Sequence, residues 1–69
     1  MKSVKVTGSS TVARLGYHNR QLFVQLINGQ VYQYRNVPKE VAINFAAAKS
    51  KGKFLNAEIL GVYESEKLN

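Results

Sequence analysis

In the run Ala48-Lys49-Ser50-Lys51-Gly52-Lys53-Phe54, three lysines alternate with small residues. A serine before a helix start caps free backbone N–H groups, and a glycine there lets a ligand approach the main chain. Free N–H groups with ammonium groups around them form a phosphate site. The run is not a nucleotide-binding P-loop, because the GxxxxGK[ST] spacing is absent. A solvated basic loop, with Gly52 serving only as a turn, is the competing reading.

A second constellation lies in Gly29-Gln30-Val31-Tyr32-Gln33-Tyr34-Arg35, where two tyrosines one residue apart precede an arginine. In a strand Tyr32 and Tyr34 share a face, either as a stacking platform for bases or as half of a hydrophobic core. Phe23 is the third aromatic candidate, with Arg14 and Arg35 able to extend a basic surface past it.

Little else in the chain can do chemistry. It has no Cys, no Asp and one histidine, His18, in a polar run that reads as a turn without a nearby carboxylate. Ser3, Ser9, Ser10 and Ser50 have no visible base partner, and convergent metal ligands are too few for a site. The expectation is a protein that is not an enzyme and uses neither cofactor nor metal.

These residues must be held by one small domain. A chain of 69 residues supports a single core worth only ~3–5 kcal/mol. A hydrophobic content of 45% with 20% charged residues fits a globular chain. Ten Lys and Arg stand against four acids, for a net charge of +6. Residues 1–57 hold nine of those bases and one acid, Glu40, while Glu58, Glu64 and Glu66 lie near the C-terminus. That imbalance attracts polyanions. The N-terminus MKSVKVTGSS has no apolar run and no segment is long enough to span a bilayer, so the expected location is cytoplasmic, without a membrane partner.

Periodicity supplies the elements. Val4 and Val6 suggest a short edge strand ended by Thr7-Gly8-Ser9-Ser10. Ala13, Leu15 and Tyr17 alternate as a second strand, and Leu22, Val24 and Leu26 as a third, before the hairpin signal Asn28-Gly29 and a fourth strand over 30–35. If Asn28-Gly29 is a two-residue loop, Ile27 faces Gln30 and Tyr34 faces Phe23. If the loop is Ile27-Asn28-Gly29 with a glycine bulge, Val24 faces Tyr32 and Leu22 faces Tyr34. The bulged register separates apolar from polar residues better, and it makes the tyrosines core while keeping their hydroxyls at the sheet margin.

Pro38 suits the first helical position, with Glu40 in the first turn and Val41, Phe45 and Ala48 forming a stripe that ends by Lys49 or Ser50. A second helix from about Lys51 to Leu60 stops at Gly61 and buries Phe54, Leu55 and Ile59. Val62 and Tyr63 form a last extended segment before a frayed tail. The fold class is therefore α+β: an antiparallel meander of three to four strands with two short helices packed on one face.

The ordered set Ser9-Ser10, Gly16-Tyr17, Leu22-x-Val24-x-Leu26, Gly29, Tyr32-x-Tyr34, Val37-Pro38, Val41, Ser50-x-Gly52 and Phe54-Leu55-Asn56 resembles the KTSC domain. This small module is named for its occurrence at the C-terminus of some lysyl-tRNA synthetases and is also found in stand-alone bacterial and phage proteins. The resemblance covers a core of about residues 9–63 within a single domain, 1–69, and its hallmark YxY is matched by Tyr32 and Tyr34. Through the synthetase context it implies a nucleic-acid partner, RNA above all. The chain departs from the pattern at His18, where an acidic residue often stands, and at Leu55, a frequent aromatic. Leu60-Gly61-Val62 also lacks the base often seen before the last tyrosine, so a site built on that base loses its support here.

The expected function is binding of RNA or single-stranded DNA. Lys49, Ser50, Lys51, Gly52 and Lys53 would hold phosphates, Arg35 and Arg14 would extend the path, and Phe23, Tyr32 and Tyr34 would stack or hydrogen-bond. An adaptor that docks a protein partner or a second copy through Phe23 and Ile27 is the reading from another class, and a small phosphorylated ligand at Ser50–Lys53 is a third.

Overall fold

A computed structural model describes the backbone of residues 2–5 and all of residues 11–69. The Thr7–Ser10 turn expected from the sequence lies outside the described residues. Five antiparallel strands follow one another in space as in sequence: β1 Lys2–Lys5, β2 Val12–His18, β3 Gln21–Leu26, β4 Val31–Tyr34 and β5 Ser65–Lys67. Between β4 and β5 come α1, Lys39–Ala47, a one-turn α2, Lys51–Phe54, and a π-turn at Leu55–Ile59. This is the expected α+β meander with its helical segments on one face. No helix among the described residues is long and apolar enough to cross a membrane.

The register of the Tyr32–Tyr34 hairpin is the bulged one. Leu22 pairs with Tyr34 and Val24 with Tyr32. Leu26 donates to the Gln30 carbonyl at 2.8 Å, and the amide of Gly29, whose φ is +93°, donates to the Leu26 carbonyl at 2.9 Å. Only a residue tolerant of the left-handed region fits there, which is why the glycine follows the asparagine.

Alternation then sends Leu15, Leu22, Val24, Leu26, Tyr32 and Tyr34 to one face, where they meet Val37, Phe45, Leu55 and Ile59. Phe45 of α1 is fully buried and stacks on Phe54 with ring centroids 5.1 Å apart. A bulge between Val12 and Arg14 adds one residue to β2, so that Val12 pairs with Leu26 and reaches the core. Simple alternation assigns that place to Ala13, which is only half-buried.

Three boundaries differ from expectation for local reasons. Pro38 sits just outside α1, with ψ 149°, and its carbonyl takes the amides of Val41 and Ala42. Helix α1 ends at Ala47, short of Lys49, because Ala48 is extended and Ser50 caps a new helix. The expected frayed tail is instead a fifth strand pairing Tyr32 with Lys67, Gln33 with Glu66 and Tyr34 with Ser65. Asn69 fastens its end, accepting from the Val31 amide at 2.9 Å and donating to the Gly29 carbonyl at 3.0 Å.

Candidate functional site

Lys49 and Lys53 are exposed at the junction of α1 and α2, whereas Lys51 is half-buried and its ammonium donates to the Ala48 carbonyl. The last turn of α1 contains no basic residue, so Lys51 supplies the cation that its free carbonyls favour. Ser50 accepts the amide of Lys53 at 3.3 Å and caps α2 as its sequence position suggests. Gly52 has a packing role: a β-carbon added there would lie 3.0 Å from the Thr11 hydroxyl. We expect Gly52→Val to lose about 1–3 kcal/mol through this overlap. Gly52→Ala should stay within about 1 kcal/mol of the parent, since helix propensity offsets part of the strain. Urea denaturation measures both, and an unchanged valine variant would leave the glycine free for another purpose.

Tyr32 and Tyr34 lie on the helix-covered face. Tyr32 is half-buried and donates to Oε1 of Gln30 at 3.2 Å. Tyr34 is 2% exposed, and burial, with Tyr32 beside it, pushes its phenol above the ordinary 10.0. They belong to the core side of the sheet, as the bulged register requires. Tyr17, which the sequence places only in a strand, also joins two elements. Its hydroxyl donates to the Val37 carbonyl at 2.6 Å and ties β2 to the approach of α1.

The opposite face of the sheet is not covered by any described helix. On it Phe23, half-buried in the central strand, pairs across to Gly16 on β2 and Gln33 on β4. Gly16 offers no side chain beside the ring. Exposed Arg14 pairs with Gln25 on one side and has Lys5 as its backbone partner on the other. Gln33 donates to Gln21 across the same surface. Ile27, at the hairpin turn, is 57% exposed.

The cations therefore do not make one strip. Arg14 belongs to the uncovered face and the three lysines to the helical layer. Arg35 is at the other end of the strands from Arg14, where Glu66 binds its guanidinium at 3.2 Å and the Glu64 carbonyl takes its amide. The structure brings Arg14 together with Phe23 on one face, keeps the Ser50–Lys53 turn apart from them, and neutralises Arg35.

The inner side holds a cleft that the sequence did not announce. It measures about 360 Å³ and lies between β4 and the π-turn, lined by Thr11, Leu26, Tyr32, Tyr34, Leu55, Asn56, Leu60 and Ser65. Four of these residues come from the Tyr32-x-Tyr34 and Phe54-Leu55-Asn56 motifs, so the only advance signal was that two distant motifs each carried polar residues.

An antiparallel meander with helical segments on one face and no described helix on the other defines a small α+β domain. Residues 8–63 match the KTSC domain, and the chain belongs to that family. The crystal structure of a KTSC domain protein from Yersinia pestis is similar throughout, with a TM-score of 0.89 and 35% sequence identity over 99% of this chain and 97% of that one. No curated protein matches the sequence.

Proposed function

We propose that the chain is a small cytoplasmic module, of bacterial or phage origin, that binds single-stranded nucleic acid, RNA in particular, across the uncovered face of its sheet. The observation that carries this reading is Phe23, half-buried in the middle strand of an open face with Gly16 on one side of it. A base stacks on such a ring whatever its identity. Arg14 beside it, and a chain charge of +6, draw the phosphates. Gln25 and Gln33 offer amide groups to base edges. Lys49 and Lys53 act as a separate electrostatic contact for a longer strand, while Arg35 contributes less because Glu66 holds it.

Fluorescence anisotropy with a labelled single-stranded RNA octamer, at low and moderate salt, tests this. Affinity should fall with salt at a logarithmic slope of about 0.7 per phosphate contacted. Phe23→Ala should weaken binding about tenfold, as loss of one stacked base predicts, and Arg14→Glu should reduce the salt slope. Absence of salt-dependent binding would overturn the proposal. Binding insensitive to Phe23 but lost in Lys49→Glu/Lys53→Glu would move the interface to the helix junction. An adaptor role through Phe23 and exposed Ile27 predicts instead a protein partner lost in Phe23→Ser, with no oligonucleotide affinity.

A further inference from the structure

The cleft between β4 and the π-turn holds a polar group without a hydrogen-bond partner among the described residues. Tyr34 is 2% exposed, yet its hydroxyl makes no hydrogen bond to any described residue. No buried side-chain oxygen or nitrogen among the described residues lacks a partner, so this hydroxyl is not sealed in but reached from outside. The cleft that Tyr34 lines is the opening next to it.

The backbone opposite is irregular at the same place. The Leu60 amide donates to the Leu55 carbonyl at 2.8 Å, five residues back, and this wide turn carries Leu55 and Asn56 to the cleft wall. Such single π-turns recur at functional sites because they displace side chains from regular helical positions.

The lining defines what would fit. Leu26, Leu55 and Leu60 form apolar walls, and Tyr34, Asn56 and Ser65 supply hydroxyl and amide groups. None of the described lining residues is charged. A charge placed against these walls meets no counter-charge among the described lining residues and loses part of its hydration, which favours a neutral occupant. A raised phenol pKa keeps Tyr34 protonated and hence a donor. The volume, about 360 Å³, is in the lower part of the range for small-molecule pockets.

We propose that this cleft is a binding site for a small neutral molecule with an apolar body and a carbonyl acceptor, a carboxamide being the simplest case, with the Tyr34 hydroxyl as its donor. The site faces away from Phe23 and does not depend on the nucleic-acid reading.

The test is a series of NMR titrations on the full chain with benzamide, toluene and benzoate, following backbone amides and tyrosine ring signals. Benzamide should shift Leu26, Tyr32, Leu55, Asn56 and Ser65 saturably, and benzoate should bind at least about tenfold more weakly. Tyr34→Phe, which keeps the ring, should weaken benzamide about fivefold and leave toluene unchanged. Leu60→Trp, at a position 46% exposed, should fill the cleft and abolish both responses. Shifts outside the cleft, equal benzamide affinity in Tyr34→Phe, or undiminished binding in Leu60→Trp would each overturn the proposal.

Discussion

Phe45→Ala should leave most molecules without a cooperative fold at room temperature. The ring is fully buried between the helical layer and the sheet and stacks on Phe54. Truncating such a phenylalanine removes transfer energy and leaves a cavity, a combined loss of about 3–5 kcal/mol. The whole domain has only ~3–5 kcal/mol to lose. Neither a disulfide nor a metal–thiolate site can compensate, since the chain has no cysteine. Far-UV circular dichroism through a urea titration gives the result directly, with Phe45→Leu, which keeps most of the apolar volume but loses the ring stack, as the milder control expected to lose about 1–2 kcal/mol. An alanine variant with an unchanged midpoint would mean that the two aromatic rings do not anchor the core.

Removing Glu64–Asn69 should produce the second-largest effect, and in two directions. The segment closes the β4 edge through its ladder, the Arg35-to-Glu64 and Leu68-to-Val31 backbone bonds, and both bonds of Asn69. At about 0.5–1.5 kcal/mol net for each ordinary hydrogen bond, less where water replaces it, the loss should be about 2 kcal/mol. The bared edge of β4 would offer free amides and carbonyls to another chain, so self-association should rise at high concentration. Two acids and one base leave, taking the net charge from +6 to +7, and Arg35 loses its carboxylate partner. RNA affinity at low salt should therefore increase even as stability falls. Size-exclusion chromatography, urea denaturation and anisotropy on the same variant separate these effects. A shortened chain as stable as the parent, and no tighter on RNA, would count against both arguments.

The parts of the fold that were legible are those whose side chains segregate. Asn28-Gly29, together with the alternation of Leu22, Val24 and Leu26, was enough to choose between two hairpin registers, because the wrong one mixes arginine and glutamine with leucine. Val41 and Phe45 behind Pro38 marked α1. Strand β5 left no such trace: Ser65-Glu66-Lys67 has no apolar face, and its place is fixed by main-chain pairing and by the Asn69 amide. The β2 bulge was equally hidden, since Val12 reaches the core only because one extra residue breaks the alternation that Ala13, Leu15 and Tyr17 suggest.

For the candidate site, composition gave the charge but not its distribution. Whether a lysine is free or bound to a carbonyl, as Lys51 is at Ala48, depends on where the preceding helix stops. Whether Gly52 serves a ligand or a neighbour depends on Thr11, which is far away in sequence. The polar wall of the cleft was out of reach for the same reason, being assembled from β4, β5 and a turn whose winding no periodicity predicts.

That winding has a consequence for which changes in chain length the domain can accept. The turn at Leu55–Ile59 accommodates one residue more than a regular helix uses to advance by the same amount. Deleting Ala57 would let the coil tighten to ordinary pitch without breaking it. Because a regular turn covers nearly the same angle with one residue fewer, the side chains beyond the deletion would keep close to their present phase, and Ile59 would stay in the interior. The surplus residue is slack in the winding: the coil can give it up without turning its last aliphatic group away from the core, so length here is less constrained than the identity of Ile59.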